Sequence, residues 1–265
     1  MEKLKIVIFT SNGIRHKFLA NSLAKEVDDC LVVVESKPLD PLEIESNDES
    51  IELQEHFSQR TKTEQEFFKN NDFFVSKTLP ILNKEVNSLY VSSTISKFNP
   101  DAIFVFGSSI LKNEILNLVP SGRFFNLHLG ISPYYRGSGT NFWPFVNNEL
   151  EYVGATILHL DPGIDTGDIV AHVRPTFEKN DNVHTIGCKV IKNGISVLIK
   201  IIEQLKNDKK IQRIPQWKIP NEKVYRIKDF DGSALKLYKK NIKNQMIDSF
   251  IKSLKESPKL VNFEI

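Results

Sequence analysis

Short runs of β-branched and aromatic residues recur along this chain, and each runs straight into a polar loop. Ile6–Phe9 gives way to Thr10-Ser11-Asn12-Gly13, and Ala102–Phe106 gives way to Gly107-Ser108-Ser109. Leu31–Val34 and Phe124–Leu127 repeat the pattern. Apolar runs this short, without polar alternation, suit strands covered on both faces. An amphipathic segment follows the first run to about Val27. Strands alternating with helices predict an α/β architecture: a mostly parallel sheet flanked by helices, with ligands at the carboxyl ends of strands. The loop after the first run has a single glycine, Gly13, so it lacks the glycine pattern that cradles a dinucleotide.

Polar chemistry concentrates between Phe124 and Ile169. Phe124-Phe125 leads into Asn126-Leu127-His128, and strand alternation puts Asn126 and His128 on the same side. A carboxamide can donate to a developing oxyanion while a neighbouring imidazole handles a proton. Gly130–Gly139 reads as a shaped loop, with Pro133 fixing one backbone angle and Tyr134, Tyr135 and Arg136 at its tip. A helix start follows near Thr140, limited to a first turn by Pro144, with Phe142, Trp143 and Phe145 expected against the sheet. The segment Glu151–Leu160 is strand-like and ends in the turn Asp161-Pro162-Gly163. Asp165 then stands in a loop before the run Ile169–Val173, and a strand–helix–strand path would return it to His128. Asp161 and Asp168 read as ordinary turn residues.

This order, Asn126-x-His128, then Pro133 with Arg136-Gly137, then Asp161-Pro162-Gly163-Ile164-Asp165-Thr166-Gly167-Asp168, resembles the signature of the folate-dependent formyltransferase superfamily. The loop departs from the family's usual Ser-Leu-Leu-Pro, reading Gly130-Ile131-Ser132-Pro133 here. The resemblance implies a Rossmann-like formyltransferase fold over residues 1–205, with residues 206–265 as a short C-terminal strand and helix extension. It implies Asn126, His128 and Asp165 as the catalytic set and 10-formyltetrahydrofolate as co-substrate. The pterin slot would be formed by Phe106, Gly107, Ile110 and Leu111, with Pro133, Asp161, Gly163 and Ile164 on its other side. Asn12, Arg15, His16, Tyr134, Tyr135 and Arg136 would face the acceptor.

The remaining segments bear on which amine is formylated. Pro38–Ser50 reads as an acidic connector, and Ile51–Phe74 as a long charged helix with His56, Arg60 and Glu64 at four-residue spacing. Val183–Leu205 is an amphipathic helix capped by Asp181 or Asn182. The tail holds Gln216-Trp217, a strand-like Val224–Ile227 and a lysine-rich helix whose Lys236, Lys239, Lys240 and Lys243 read as a solvated face. A net charge of +2 is too small to argue for a nucleic-acid surface. This tail, the charged middle helix and the modest charge resemble the sugar-nucleotide N-formyltransferases, which implies a nucleotide-linked amino sugar as acceptor and a homodimer as the assembly.

Cys30 and Cys188 stand far apart in apolar surroundings, which suits a reducing cytoplasm. The first nine residues read as a strand rather than a leader, and no run approaches membrane-spanning length. Rival readings keep the fold and change the acceptor to methionyl-tRNA, glycinamide ribonucleotide, a peptidyl amine or water. A rival of another class is a metallohydrolase using His128, His159, His172 and the nearby Asp residues, whose spacings match no compact ligand motif. His159 and His172 read instead as strand histidines with local partners.

Overall fold

A computed structural model describes residues 4–36, 48–220, 222–253 and 256–264. The strands and helices run β1 (Lys5–Ser11), α1 (Ile14–Ala24), β2 (Asp29–Ser36), α2 (Asp48–Phe67), β3 (Lys77–Leu82), α3 (Leu89–Phe98), β4 (Ala102–Phe106), α4 (Asn113–Leu116) and β5 (Phe124–His128). They continue as β6 (Tyr135–Gly137), α5 (Trp143–Val146), β7 (Ala155–His159), β8 (Ile169–Val173), α6 (Val183–Lys206), β9 (Lys223–Tyr225), α7 (Gly232–Lys243) and α8 (Met246–Lys252). The acidic connector expected at 38–50 lies outside the described residues up to the start of α2.

Seven strands form one sheet in the order β3-β2-β1-β4-β5-β7-β8. The first five pair in parallel, whereas β7 pairs antiparallel with both β5 and β8. The sheet is therefore mostly parallel, as the alternation predicts, but the return to His128 is not a parallel crossover. The helix available between β5 and β7 is the four-residue α5, too short to carry a crossover across the sheet. Period-two alternation splits β1 between two cores. Ile6 and Ile8 join α1 and α6 on one face, while Val7 and Phe9 join α3 and α4 on the other.

Strand β3 escaped the sequence reading. Its edge position lets it hold Pro80, and only Leu79 and Ile81 are buried, so it carries little apolar signal. Helix α2 stops at Phe67, short of the expected Phe74. Helix α6 is capped by Asn182, whose side chain accepts from the backbone N–H groups of His184 at 2.8 Å and Thr185 at 3.1 Å. Thr185 Oγ1 reciprocates on the Asn182 N–H at 2.9 Å.

The C-terminal segment is built into the main core. Leu235, Tyr238, Met246 and Ile247 share one apolar cluster with β1, β4 and α6. The lysines of α7 named above are exposed, as expected of a solvated face. Phe142, Trp143 and Phe145 are buried, but they pack largely on this segment: Trp143 stacks on Tyr225 with ring centroids 4.0 Å apart, and Phe142 meets Phe230 at 4.8 Å. Along the outer edge of β8, Ile169 and Ile214 exchange backbone hydrogen bonds, and the His172 N–H donates to the Val261 carbonyl at 2.8 Å. No helix among the described residues is long and apolar enough to cross a membrane.

Candidate active site

Asn126 and His128 leave the same side of β5 and meet one carboxylate. Asp165, in the loop joining β7 to β8, has Oδ1 3.4 Å from Asn126 Nδ2 and Oδ2 3.3 Å from His128 Nδ1. The Gly137 N–H also donates to Oδ2, at 3.0 Å. His128 is 6% exposed, and its Nε2 lies 3.0 Å from the Tyr135 carbonyl and 3.5 Å from Thr140 Oγ1. The sequence-predicted amide, imidazole and carboxylate thus meet in one cluster, Asp165 accepting from Asn126 and lying beside the His128 imidazole. Asp165 holds a left-handed backbone, φ 53°, which Asp tolerates better than most residues. Thr140 and the carbonyl of Tyr135 were missed, since nothing in a linear pattern announces a backbone oxygen.

The three residues expected at the loop tip, facing the acceptor, are drawn toward the C-terminal segment. Tyr135 is fully buried in β6; its hydroxyl bonds Glu149 and accepts from Asn147 Nδ2 at 2.9 Å, and burial pushes its pKa up. Arg136 pairs with Glu222 and donates from Nη2 to Gln216 Oε1 at 2.6 Å. Burial lowers the Arg136 pKa, against the pull of Asp165 and Asp161. The half-buried Tyr134 packs on Tyr152 and Trp217. The cause is β9, which pairs with β6 and so covers this loop.

The segment expected to line a pterin slot divides by exposure. Phe106 and Leu111 are buried, whereas Ile110 is 66% exposed. Gly107 has φ +75°, and a Cβ there would lie 2.6 Å from His16 Nε2, so glycine alone fits this turn. His16 is accordingly an interior residue, its ring 5.0 Å from that of Phe106, rather than a surface contact. Buried Glu35 at the end of β2 shapes the segment, accepting from the Ser109 N–H at 2.8 Å, Ser109 Oγ at 2.5 Å and the Lys84 N–H at 2.7 Å. Glu35 was not anticipated, because a lone acidic residue ending a strand carries no sequence signal. Asn87 Nδ2 donates to the Ile110 carbonyl at 2.9 Å.

Opposite in sequence, Asp161 does turn chemistry, accepting from the Gly163 N–H at 3.1 Å and Thr166 Oγ1 at 2.9 Å. Ile164 is exposed, while Pro133, after a cis peptide, is buried. Asp168 pairs with Arg213 at 3.0 Å. The two strand histidines find backbone partners: His159 Nε2 lies 3.0 Å from the Gln212 carbonyl, and His172 Nε2 lies 2.8 Å from the Ser132 carbonyl.

A cavity of about 420 Å³ opens beside His128. One wall is the stripe His56, Phe57, Arg60 and Glu64 of α2, and another is formed by His184 and Gly187 in the first turns of α6. Arg15 completes it, donating to Glu64 Oε1 at 3.0 Å, while the Arg60 guanidinium lies over the Phe57 ring at 4.8 Å. Asn12, in the preceding loop, accepts from Ser11 Oγ at 3.4 Å and does not line the cavity. The rings of His56 and His184 stand 4.5 Å apart. Burial, followed by Arg60 and Lys239, pushes His56 down to about 4. Burial, then His56 and Arg60, pushes His184 down to about 3. The wall is therefore apolar around the imidazoles, and Arg15 and Arg60 flank the Glu64 carboxylate at 3.0 and 3.9 Å.

Comparison with known proteins bears on the family and the fold. A family model described as formyl transferase matches residues 5–202. Methionyl-tRNA formyltransferase of Desulforamulus reducens is 38% identical over 124 residues, covering 46% of this chain and 38% of the relative. Its counterpart in Caldanaerobacter subterraneus is 34% identical, covering 49% and 41%. The matched stretch thus spans about two-fifths of these relatives' length. Among solved structures, a 4-N formyltransferase from Francisella tularensis has the same fold with a TM-score of 0.56, 20% identity and coverage of 86% of this chain and 78% of that one. The formyltransferase PseJ from Anoxybacillus kamchatkensis, solved with UDP-4,6-dideoxy-4-formamido-L-AltNAc and tetrahydrofolate, gives 0.53 at 19% identity, covering 85% and 87%. Phosphoribosylglycinamide formyltransferase from Anaplasma phagocytophilum gives 0.57 at 14% identity, covering 85% and 100%. With the match running from β1 through most of α6, this chain belongs to the formyl transferase family.

Proposed function

We propose that this protein moves the formyl group of 10-formyltetrahydrofolate to the primary amine of a nucleotide-linked amino sugar. The observation that carries the reading is the Asn126–His128–Asp165 cluster, whose His128 lines a cavity walled by aromatic side chains and by Arg15, Arg60 and Glu64. A sugar ring suits aromatic and aliphatic walls, and a diphosphate suits guanidinium groups. Solved relatives support both substrates, since PseJ is bound to a UDP-sugar and tetrahydrofolate. The exposed Ile110, in the turn Gly107–Leu111, would offer a pterin ring an apolar contact.

In this mechanism the neutral amine attacks the formyl carbon, forming the new C–N bond. Asn126 donates to the oxyanion that develops, and His128 stabilises it from the neighbouring position. Asp165 orients the imidazole and takes part in removing the proton from the attacking nitrogen. Collapse breaks the bond to N10 of the folate, which leaves with a proton. A carboxylate already held beside both side chains reduces the reorganisation needed as the charge builds.

The curated relatives favour a second acceptor, methionyl-tRNA. The deciding experiment is tetrahydrofolate release from 10-formyltetrahydrofolate with a panel of nucleotide-linked amino sugars, methionyl-tRNA and no acceptor. Release dependent on an amino sugar supports the reading. Release with tRNA alone overturns the acceptor, and release without any acceptor makes the protein a hydrolase.

A further inference from the structure

Asp165 is held in its left-handed conformation from two sides, and one of them lies outside the family-matched region. On the carboxylate side stand His128, Asn126 and the Gly137 N–H. On the backbone side stands Gln216, in the segment before β9. Its Nε2 donates to the carbonyls of Asp165 and Gly167, both at 2.8 Å. Its Oε1 accepts from Arg136 Nη2 at 2.6 Å. Arg136 immediately precedes Gly137, so one amide side chain ties the peptide that bears the carboxylate to the strand that binds the carboxylate.

The other ties within this loop do not fix Asp165. Gly163 and Thr166 bond Asp161, and Asp168 pairs with Arg213. A left-handed residue free of external bonds can relax toward the commoner backbone regions, and Gln216 opposes that relaxation at the Asp165 carbonyl itself. We infer that Gln216 is a positioning residue for formyl transfer: it sets the Asp165 carboxylate against His128 and Asn126. This rests on the role assigned to Asp165 above. The functional unit then runs past residue 205, because a side chain of the C-terminal segment completes the site.

Gln212 supplies a matched control four residues earlier. Its Nε2 likewise donates to two carbonyls, those of Val170 at 2.5 Å and Asn262 at 2.7 Å, and neither belongs to residues 161–168. If the tail matters only by docking, losing either amide has the same consequence.

The experiment uses the full chain with Gln216→Met, which keeps volume and removes the donors, Gln216→Ala, and Gln212→Met. Two readouts are taken: hydrogen exchange of the backbone amides from Gly163 to Gly167, and kcat and KM for formyl transfer. Misplacing a reacting group by about 1 Å costs up to about 100-fold. Both Gln216 variants are expected to speed exchange in this loop and to lower kcat by roughly 10- to 100-fold with KM nearly unchanged. Gln212→Met is expected to match wild type in both. Unchanged exchange in the Gln216 variants overturns the clamp. Faster exchange with normal kcat, or equal losses in Gln212→Met, overturns the positioning role. Wild-type protein inactive on every acceptor defeats the proposed reaction, while the exchange readout still judges the clamp.

Discussion

His128 and Asp165 meet across 3.3 Å although one ends a strand and the other sits in a distant loop. The contact exists because β7 pairs antiparallel beside β5 and the following loop folds back over it. Any substitution that keeps the shape of Asp165 but removes its charge tests the contact alone. Asp165→Asn is expected to lower kcat at least roughly 100-fold, the scale of a lost proton-handling group, with thermal stability within a few degrees of wild type. Single-turnover kinetics beside a melting curve make the check, and normal turnover removes Asp165 from the chemistry.

Asn126 should behave as an oxyanion donor. Asn126→Ala is expected to lose about 100- to 1000-fold in kcat while KM for both substrates moves little. A change confined to KM would instead mark it as a ground-state binding residue.

Gly187 lines the cavity within α6, and a Cβ built there meets nothing within 4 Å. A glycine inside a helix costs roughly 0.5–1 kcal/mol relative to alanine. Gly187→Ala should therefore raise the melting temperature. Gly187→Leu should fill the space and raise the acceptor KM at least tenfold, leaving folate affinity intact by titration. Unaltered acceptor KM in the leucine variant would show that the acceptor lies elsewhere.

The imidazoles of His56 and His184 give stability a pH dependence. Their folded pKa values, about 4 and about 3, lie below the unfolded value of about 6.5. Between those limits the unfolded chain binds more protons, so stability is complete above about pH 6.5 and falls on acidification. Each group contributes a slope of up to about 1.4 kcal/mol per pH unit. Denaturant midpoints at pH 7 and 5 should differ clearly in wild type and less in His184→Phe. An equal difference in both would assign the acid sensitivity to other groups, such as His172, which burial holds near 4.

What could be read in the sequence followed from local rules. The buried runs of β1, β4 and β5, the period-two placement of Asn126 and His128, and the cap of α6 are each set by a few adjacent residues. The α2 stripe was visible as a spacing, but its facing the cavity depends on packing against α6 and α7. Glu35, Gln216 and the burial of Tyr135 were illegible for one reason. Each is fixed by partners tens of residues away, through backbone groups that have no residue-specific signature.

The segment laid along β8 also decides how this sheet meets other chains. An open strand edge is a template for pairing, and pairing between copies leads to aggregation. At β8 the backbone groups of Ile169 and His172 are already taken by Ile214 and Val261. The opposite edge, β3, is guarded differently: Pro80 removes a donor, and Lys77 places a charge there, paired with Asp29. Cutting or loosening the C-terminal segment would therefore expose a sticky edge, and clumping rather than simple inactivity would be its first symptom.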